Sequence, residues 1–194
     1  MPTTPGQSAL GGVTKEADEI QDKLRDFSTV VPLVRPTAED VLEVLPGFNI
    51  AHFACHGVSS DNPAESHILL VKDSNSHPEG EADRLRVKDI AALKLPAARL
   101  AYLSACSTAE TTSSKLADEV THIVSSFHIA WFVHVIGTLW PSEDGACHRM
   151  AAEFYSALSK TDDVALSYRT AIMQLMEEKP MQPLYWTPFI HFGP

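Results

Sequence analysis

The second half of the chain alternates buried strands with helices, and this alternation limits the possible folds more than any other feature. The apolar runs "ARLAYLSA" (98–105) and "FVHVIGTLW" (132–140) have the length and composition of strands buried on both faces. Apolar residues recur at helical spacing over 115–128 and again over 143–159. Strands that alternate with helices form a mainly parallel sheet covered on both faces. The sequence therefore predicts a three-layer α/β fold with helices on both sides of the sheet.

The first half of the chain fits the same plan less regularly. Thr37 and Ser142 are predicted to be N-caps, because each precedes a helical pattern and carries a hydroxyl that can accept a hydrogen bond from the first turn. The remaining predicted elements are helices over 14–27, 37–47, 87–95 and 162–177, strands over 29–34, 49–55, 66–73 and 184–193, and an acidic surface loop over 74–84.

The length of 194 residues suits one domain of ordinary size. Residues 1–13 are rich in Pro, Gly, Ser and Thr and are predicted to be a flexible segment, which leaves 14–194 as the single domain. The first residues lack the basic and apolar regions of a signal peptide, and no apolar run reaches the length of a membrane span. The sequence therefore predicts a cytoplasmic protein.

Charge and cysteine usage restrict the partners and the chemistry. The formal net charge is −10 without a cluster of Lys or Arg, which argues against nucleic acid and anionic membrane as partners. Three cysteines, at 55, 106 and 147, are too few for a disulfide framework and indicate reduced thiols.

Three polar segments are predicted to meet where parallel strands end, which is where such sheets place ligands and catalytic groups. They are His56-Gly57, the segment "SACST" around Cys106, and "PSED" after Trp140. Alternation along the first strand separates Cys55 from His52 and His56, so the pattern argues against a zinc site and predicts no metal and no cofactor. Taken singly, Cys106 is better explained as a small packed side chain and His56 as a strand-end histidine with one hydrogen bond. Taken together at one sheet edge, a thiol–imidazole pair is as well supported by the pattern as these two ordinary roles.

Four segments carry a resemblance to a known family. "HFACHG", "LSACST", "HVIGTLWPSED" and "YWTPFIHFG" resemble the CHAT domain, a branch of the caspase and separase group of cysteine peptidases. His56 precedes Cys106 by 50 residues, and caspases place the histidine about 50 residues before the cysteine. The resemblance extends from about residue 30 to the end of the chain. Relatives commonly carry glycine where this chain has Trp131.

The resemblance implies a caspase-like fold with a His56–Cys106 dyad that has no obligatory third member. The backbone N–H groups of Gly57 and Cys106 would form the oxyanion hole, and glycine suits a tight turn that aims its amide at the site. Glu143 and Asp144 either recognise a basic substrate residue or only favour the helix dipole, and the second interpretation is the stronger.

The implied function is that of a cysteine endopeptidase that cleaves protein or peptide substrates in defence or programmed cell death. Regulatory repeat domains in a longer parent protein are the other implied partners. Two alternatives stay open. One is a catalytically silent CHAT-like module for interaction or signalling, and the other is a cysteine hydrolase that does not act on peptides.

Overall fold

The computed structural model describes residues 3–7, 9–58, 60, 62–72, 82–104, 116–140 and 142–194, with the backbone alone for 63 and 116–122. The helices are α1 (Val13–Leu24), α2 (Ala38–Val44), α3 (Val87–Ala91), α4 (Leu116–Ile129), α5 (Asp144–Thr161) and α6 (Val164–Glu178). The strands are β1 (Ile50–Ala54), β2 (Gly57–Val58), β3 (His67–Val71), β4 (Ala82–Arg86), β5 (Leu100–Ser104), β6 (His134–Thr138) and β7 (Phe189–Phe192).

The central sheet has four strands in the order β1-β5-β6-β7. Strands β1, β5 and β6 run parallel, and β7 pairs with β6 in the antiparallel sense. The crossovers between the parallel strands contain helices, which is the connection that parallel pairing requires. The prediction of a mainly parallel sheet is therefore confirmed.

Helices cover both faces of this sheet, as predicted. Helices α1, α5 and α6 bury one face with Tyr102 and Ile136, and helices α2, α3 and α4 bury the other with Ala101 and Leu103. Strand β5 is buried along its whole length, because successive side chains point to opposite faces and both faces are covered.

In the part of the chain between β1 and α3, three strands form a second, smaller sheet. Strands β2, β3 and β4 pair in antiparallel order, with Ile68 of β3 opposite Gly57 and Leu85 of β4 opposite Ile68. Both Ile68 and Leu85 are buried, so this sheet contributes to the core on the α2, α3 and α4 face. The sheet follows directly on His56, and its position is thereby fixed next to the end of β1.

Two predicted elements are wrong. Residues 29–34 form neither strand nor helix, and Val31 and Val34 of this run are 51% and 68% exposed. Strand-forming composition alone does not hold a strand that lacks a partner, and Pro32 removes one of the N–H groups needed for pairing. Of the loop predicted over 74–84, residues 74–81 lie outside the described residues, and 82–84 belong to β4, whose inward side chain is the fully buried Leu85.

The two predicted N-caps have opposite outcomes. The Thr37 hydroxyl accepts a hydrogen bond from the Asp40 N–H at 3.1 Å, and the Asp40 carboxylate accepts one from the Thr37 N–H at 2.8 Å. The Ser142 prediction is wrong, since α5 begins one residue later with Glu143 as its N-cap. The Ser142 hydroxyl is buried instead and has no hydrogen-bond partner among the described residues. The division into a flexible segment over 1–13 and one domain over 14–194 stays a prediction.

Trp131 has the left-handed backbone that favours glycine, with φ at 80°, in the turn between α4 and β6. This conformation costs an ordinary residue about 1–2 kcal/mol, while glycine avoids that cost but loses about 0.5–1 kcal/mol in conformational entropy. We therefore expect Trp131→Gly to raise the free energy of unfolding by about 0.5–1 kcal/mol in urea denaturation.

Trp131→Ala is the matched control, because it removes the same indole, which is 54% exposed, but keeps a Cβ atom. An equal gain in both variants would contradict the role of the backbone and assign the effect to the loss of the exposed ring.

Candidate active site

The ends of β1 and β5 are adjacent and in register, with Ala54 opposite Ser104. His56 stands two residues beyond Ala54, and Cys106 stands two residues beyond Ser104 in the sequence. Cys106 itself lies outside the described residues, and so does Pro141 of the third predicted segment. The described strands therefore bring His56 and Ser104, the last described residue before Cys106, to one edge of the sheet.

His56 lies in the short connection between β1 and β2 and is only 1% exposed. Its carbonyl oxygen accepts a hydrogen bond from the Leu69 N–H at 2.8 Å, which fixes the backbone at this point. Gly57 opens β2 and pairs with Ile68, so it has the backbone of a strand and not that of the predicted tight turn. The positive φ that glycine alone tolerates is therefore not the reason for a glycine here.

Glu143 and Asp144 lie at the start of α5, and both side chains are exposed. Neither carboxylate forms a hydrogen bond or an ion pair with another described residue. Burial raises the pKa of Tyr185, and the negative charges of Glu178 and Glu143 raise it further, which places Glu143 near that ring. Two acids in the first turn also suit the positive end of the helix dipole.

The other two cysteines belong to the core. Cys55 is 4% exposed and Cys147 is 2% exposed, on opposite faces of the sheet. Burial raises the pKa of the Cys55 thiol to about 12, so this thiol stays protonated at neutral pH. Both observations argue against a reactive role for these two side chains.

A buried polar cluster lies beside the same strands and was not predicted. His52 of β1 contacts the Glu16 carboxylate through Nε2 at 3.0 Å and the Tyr155 hydroxyl through Nδ1 at 3.0 Å. Its ring also stacks on Tyr102, with the ring centroids 4.8 Å apart. Alternation along β1 predicts the face on which His52 lies, but it gives no indication of these polar partners.

The position of Glu16 in the helical repeat of α1 is the one sequence feature that indicates this cluster. The buried side chains of α1 are Val13, Glu16, Ile20 and Leu24, so the glutamate occupies an apolar position of the helical repeat. A carboxylate at such a position is rarely buried unless it has a partner. The partner, however, comes from a strand 36 residues further along the chain.

The charges in this cluster follow from the hydrogen bonds. Burial alone would raise the pKa of Glu16, but the hydrogen bond and charge of His52, with smaller effects of Ser104 and His148, lower it overall. Burial and the negative charge of Glu16 hold the pKa of Tyr155 well above its usual range. The ionised Glu16 carboxylate can only accept, so the Nε2–H of His52 donates to it, while Nδ1 of His52 shares a hydrogen bond with the Tyr155 hydroxyl.

Within the described residues, no group of three or more His, Cys, Asp or Glu side chains is placed to hold a metal ion. None of the described helices combines the length and the apolar character needed to cross a membrane.

Comparison with known families identifies the family of this chain. The model of the CHAT domain family matches residues 1–194, which is the whole chain. The chain belongs to the CHAT domain family.

Structural comparison supports the same assignment at the level of the fold. The solved complex of the RgpB pro- and mature domains from Porphyromonas gingivalis is similar to this CHAT domain, with a TM-score of 0.56 and 9% sequence identity. The similarity covers 98% of this chain and 44% of that chain, so the CHAT domain spans less than half of the length of its structural neighbour. At this identity the similarity concerns the fold alone, and the fold of the CHAT domain is caspase-like. No curated protein sequence matches the chain.

Proposed function

We propose that this CHAT domain is a cysteine endopeptidase in which Cys106 is the nucleophile and His56 the general acid and base. The observation that carries the proposal is the register of β1 and β5, in which Ala54 lies opposite Ser104. His56 and Cys106 follow these paired residues at the same distance of two residues. Neighbouring strands lie about 4.8 Å apart, so side chains at such positions are within reach of one another.

The reaction would proceed through a thioester. The Cys106 sulfur attacks the carbonyl carbon of the peptide bond, and His56 takes the thiol proton and delivers it to the leaving nitrogen as the C–N bond breaks. Water then attacks the thioester, His56 takes a proton from the water, and the cysteine leaves and regains its proton. The backbone N–H groups of Gly57 and Cys106 are the proposed donors to the negative oxygen of each tetrahedral intermediate.

The biological setting is part of the same proposal. Protein or peptide chains are the substrates, and the cleavage serves defence or programmed cell death in the cytoplasm. Regulatory repeat domains of a longer parent protein would control the activity. Glu143 and Asp144 are exposed at the start of α5 and are candidates for contacts with basic residues of the substrate.

Alkylation by iodoacetamide, followed by mass spectrometry, tests the dyad in the absence of any substrate. We expect Cys106 to be alkylated at least about 10-fold faster than Cys55 and Cys147, because those two thiols are buried. The thiolate of a histidine-paired cysteine persists below its ordinary pKa of about 8.5. Alkylation of Cys106 should therefore persist at pH 6 in the wild type and decline there in His56→Gln.

Equal reactivity of the three cysteines, with no effect of His56→Gln on the pH profile, would contradict the dyad. That result would favour the catalytically silent module for interaction or signalling.

A further inference from the structure

Two histidines contact each other across the antiparallel pair of β6 and β7. His134 is the first residue of β6 and His191 lies near the end of β7, with Nδ1 of His134 3.0 Å from Nε2 of His191. The two rings are stacked with their centroids 5.2 Å apart, and both side chains are partly exposed. His134 starts a parallel strand, whereas His56 follows the end of one, so the histidine pair lies at the opposite edge of the sheet from the candidate active site.

Gly193 leaves an open space beside both rings. Its φ of 147° is a conformation that side chains other than glycine rarely adopt. A Cβ atom at this position would lie 2.5 Å from Nδ1 of His134, 2.9 Å from the carbonyl oxygen of Val133 and 3.1 Å from Nε2 of His191. The space that the glycine keeps open is therefore bounded by two ring nitrogens and one backbone oxygen.

These three atoms are of the kinds that bind Zn²⁺. Imidazole nitrogens bind Zn²⁺ at about 2.0–2.1 Å in a tetrahedral arrangement, which places two such nitrogens about 3.3 Å apart. A small rotation of either ring supplies the difference from the present 3.0 Å. One ring donates to the other across this contact, and a neutral imidazole carries one N–H, so the proton moves to the outer nitrogen of its ring when the metal binds.

The charges around the pair do not oppose a cation. Arg99 and Asp163 act on His134 with opposite charges, and His128 acts on both rings of the pair. Arg99 also forms an ion pair with Asp162. When His128 is neutral, these groups together carry one more negative charge than positive.

We propose that His134 and His191, with the carbonyl oxygen of Val133, bind one Zn²⁺ ion that links β6 to β7. Water supplies the fourth ligand, because Gly193 is exposed to solvent beside the two rings. Strand β7 is at the edge of the central sheet, and an ion held by both strands would oppose its separation from β6. The inference does not depend on the endopeptidase proposal, since it uses none of the proposed catalytic groups.

Isothermal titration calorimetry with Zn²⁺ tests the site in the full chain without an affinity tag. The Cys106→Ala variant is the starting point, because it removes a thiol that can itself bind Zn²⁺. We expect one Zn²⁺ per chain, with the affinity lowered at least about 10-fold by His134→Gln and by His191→Gln. His128→Gln is the matched control and should keep the affinity, since its ring contacts Phe192, whose side chain lies on the other face of β7.

Hydrogen exchange followed by mass spectrometry shows whether the ion holds the strand. Saturating Zn²⁺ should slow amide exchange in Phe189–Phe192 at least about 10-fold in Cys106→Ala, because the ion binds only while the two strands are paired. The same addition should leave exchange unchanged when His134→Gln and His191→Gln are combined with Cys106→Ala.

Circular dichroism shows whether the histidine variants fold, and the exchange of β7 in Cys106→Ala decides the matter if they do not. Absence of one-to-one Zn²⁺ binding, an affinity that neither histidine substitution lowers, or exchange in β7 that Zn²⁺ does not slow would overturn the site.

Discussion

Cys106→Ala is expected to lower kcat/KM for peptide cleavage by at least about 10⁴-fold, because alanine supplies no atom that can attack the carbonyl carbon. The remaining groups of the site would still bind the substrate and stabilise the negative oxygen, so a small residual rate is compatible with the mechanism. Digestion of a proteome-derived peptide library, analysed by mass spectrometry over a time course, measures the loss on many peptide sequences at once.

Cys147→Ala is the control for removal of a thiol. Cys147 is buried on α5 in the core, and its replacement should cost some stability while the cleavage sites and most of the rate stay the same. If the Cys106→Ala and wild-type chains cut the same peptides at the same rate, Cys106 is not the nucleophile.

Phe127→Ala is expected to lower the free energy of unfolding by about 3–5 kcal/mol, which is a large part of the about 5–15 kcal/mol typical of a domain. Phe127 is fully buried on α4 and contacts Phe53 of β1 and Phe132, with ring centroids 5.2 Å and 5.5 Å away. Removal of the ring leaves a cavity between the helix and the strand that leads to His56. Urea denaturation followed by circular dichroism gives the change.

Ile129→Ala on the same helix is the matched comparison, because Ile129 is 60% exposed. Its effect should stay within about 0.5 kcal/mol. Similar losses in the two variants would mean that α4 does not pack against the sheet through Phe127.

Local sequence patterns were sufficient to predict the regular helices and strands of the central sheet. The helical repeat over 143–159 and the apolar run over 98–105 identify α5 and β5, because one buried stripe and two buried faces leave different periods in the sequence. The Thr37 N-cap could be predicted in the same way, since the capping box is contained within four residues. The sheet edge that carries His56 followed from the order of these elements.

Elements that depend on distant pairing partners could not be predicted from local sequence patterns. The run 29–34 has the composition of a strand but no neighbour with which to pair, whereas β4 is rich in charged residues and is held by pairing with β3. Pairing partners and burial decide whether such a segment forms a strand. Strand propensity measures only how well its side chains fit a sheet surface that already exists.

The sequence by itself determined the alternation of strands and helices, and with it the sheet edge at which His56 and Cys106 are expected to meet. Periodicity is a local property, and it records which side of an element is buried. Only the tertiary structure decided that Glu16 lies against His52, 36 residues away, and that Tyr155 approaches the same ring from 103 residues away. Hydrogen bonds between distant elements leave no period in the chain, because they depend on how the faces of those elements meet.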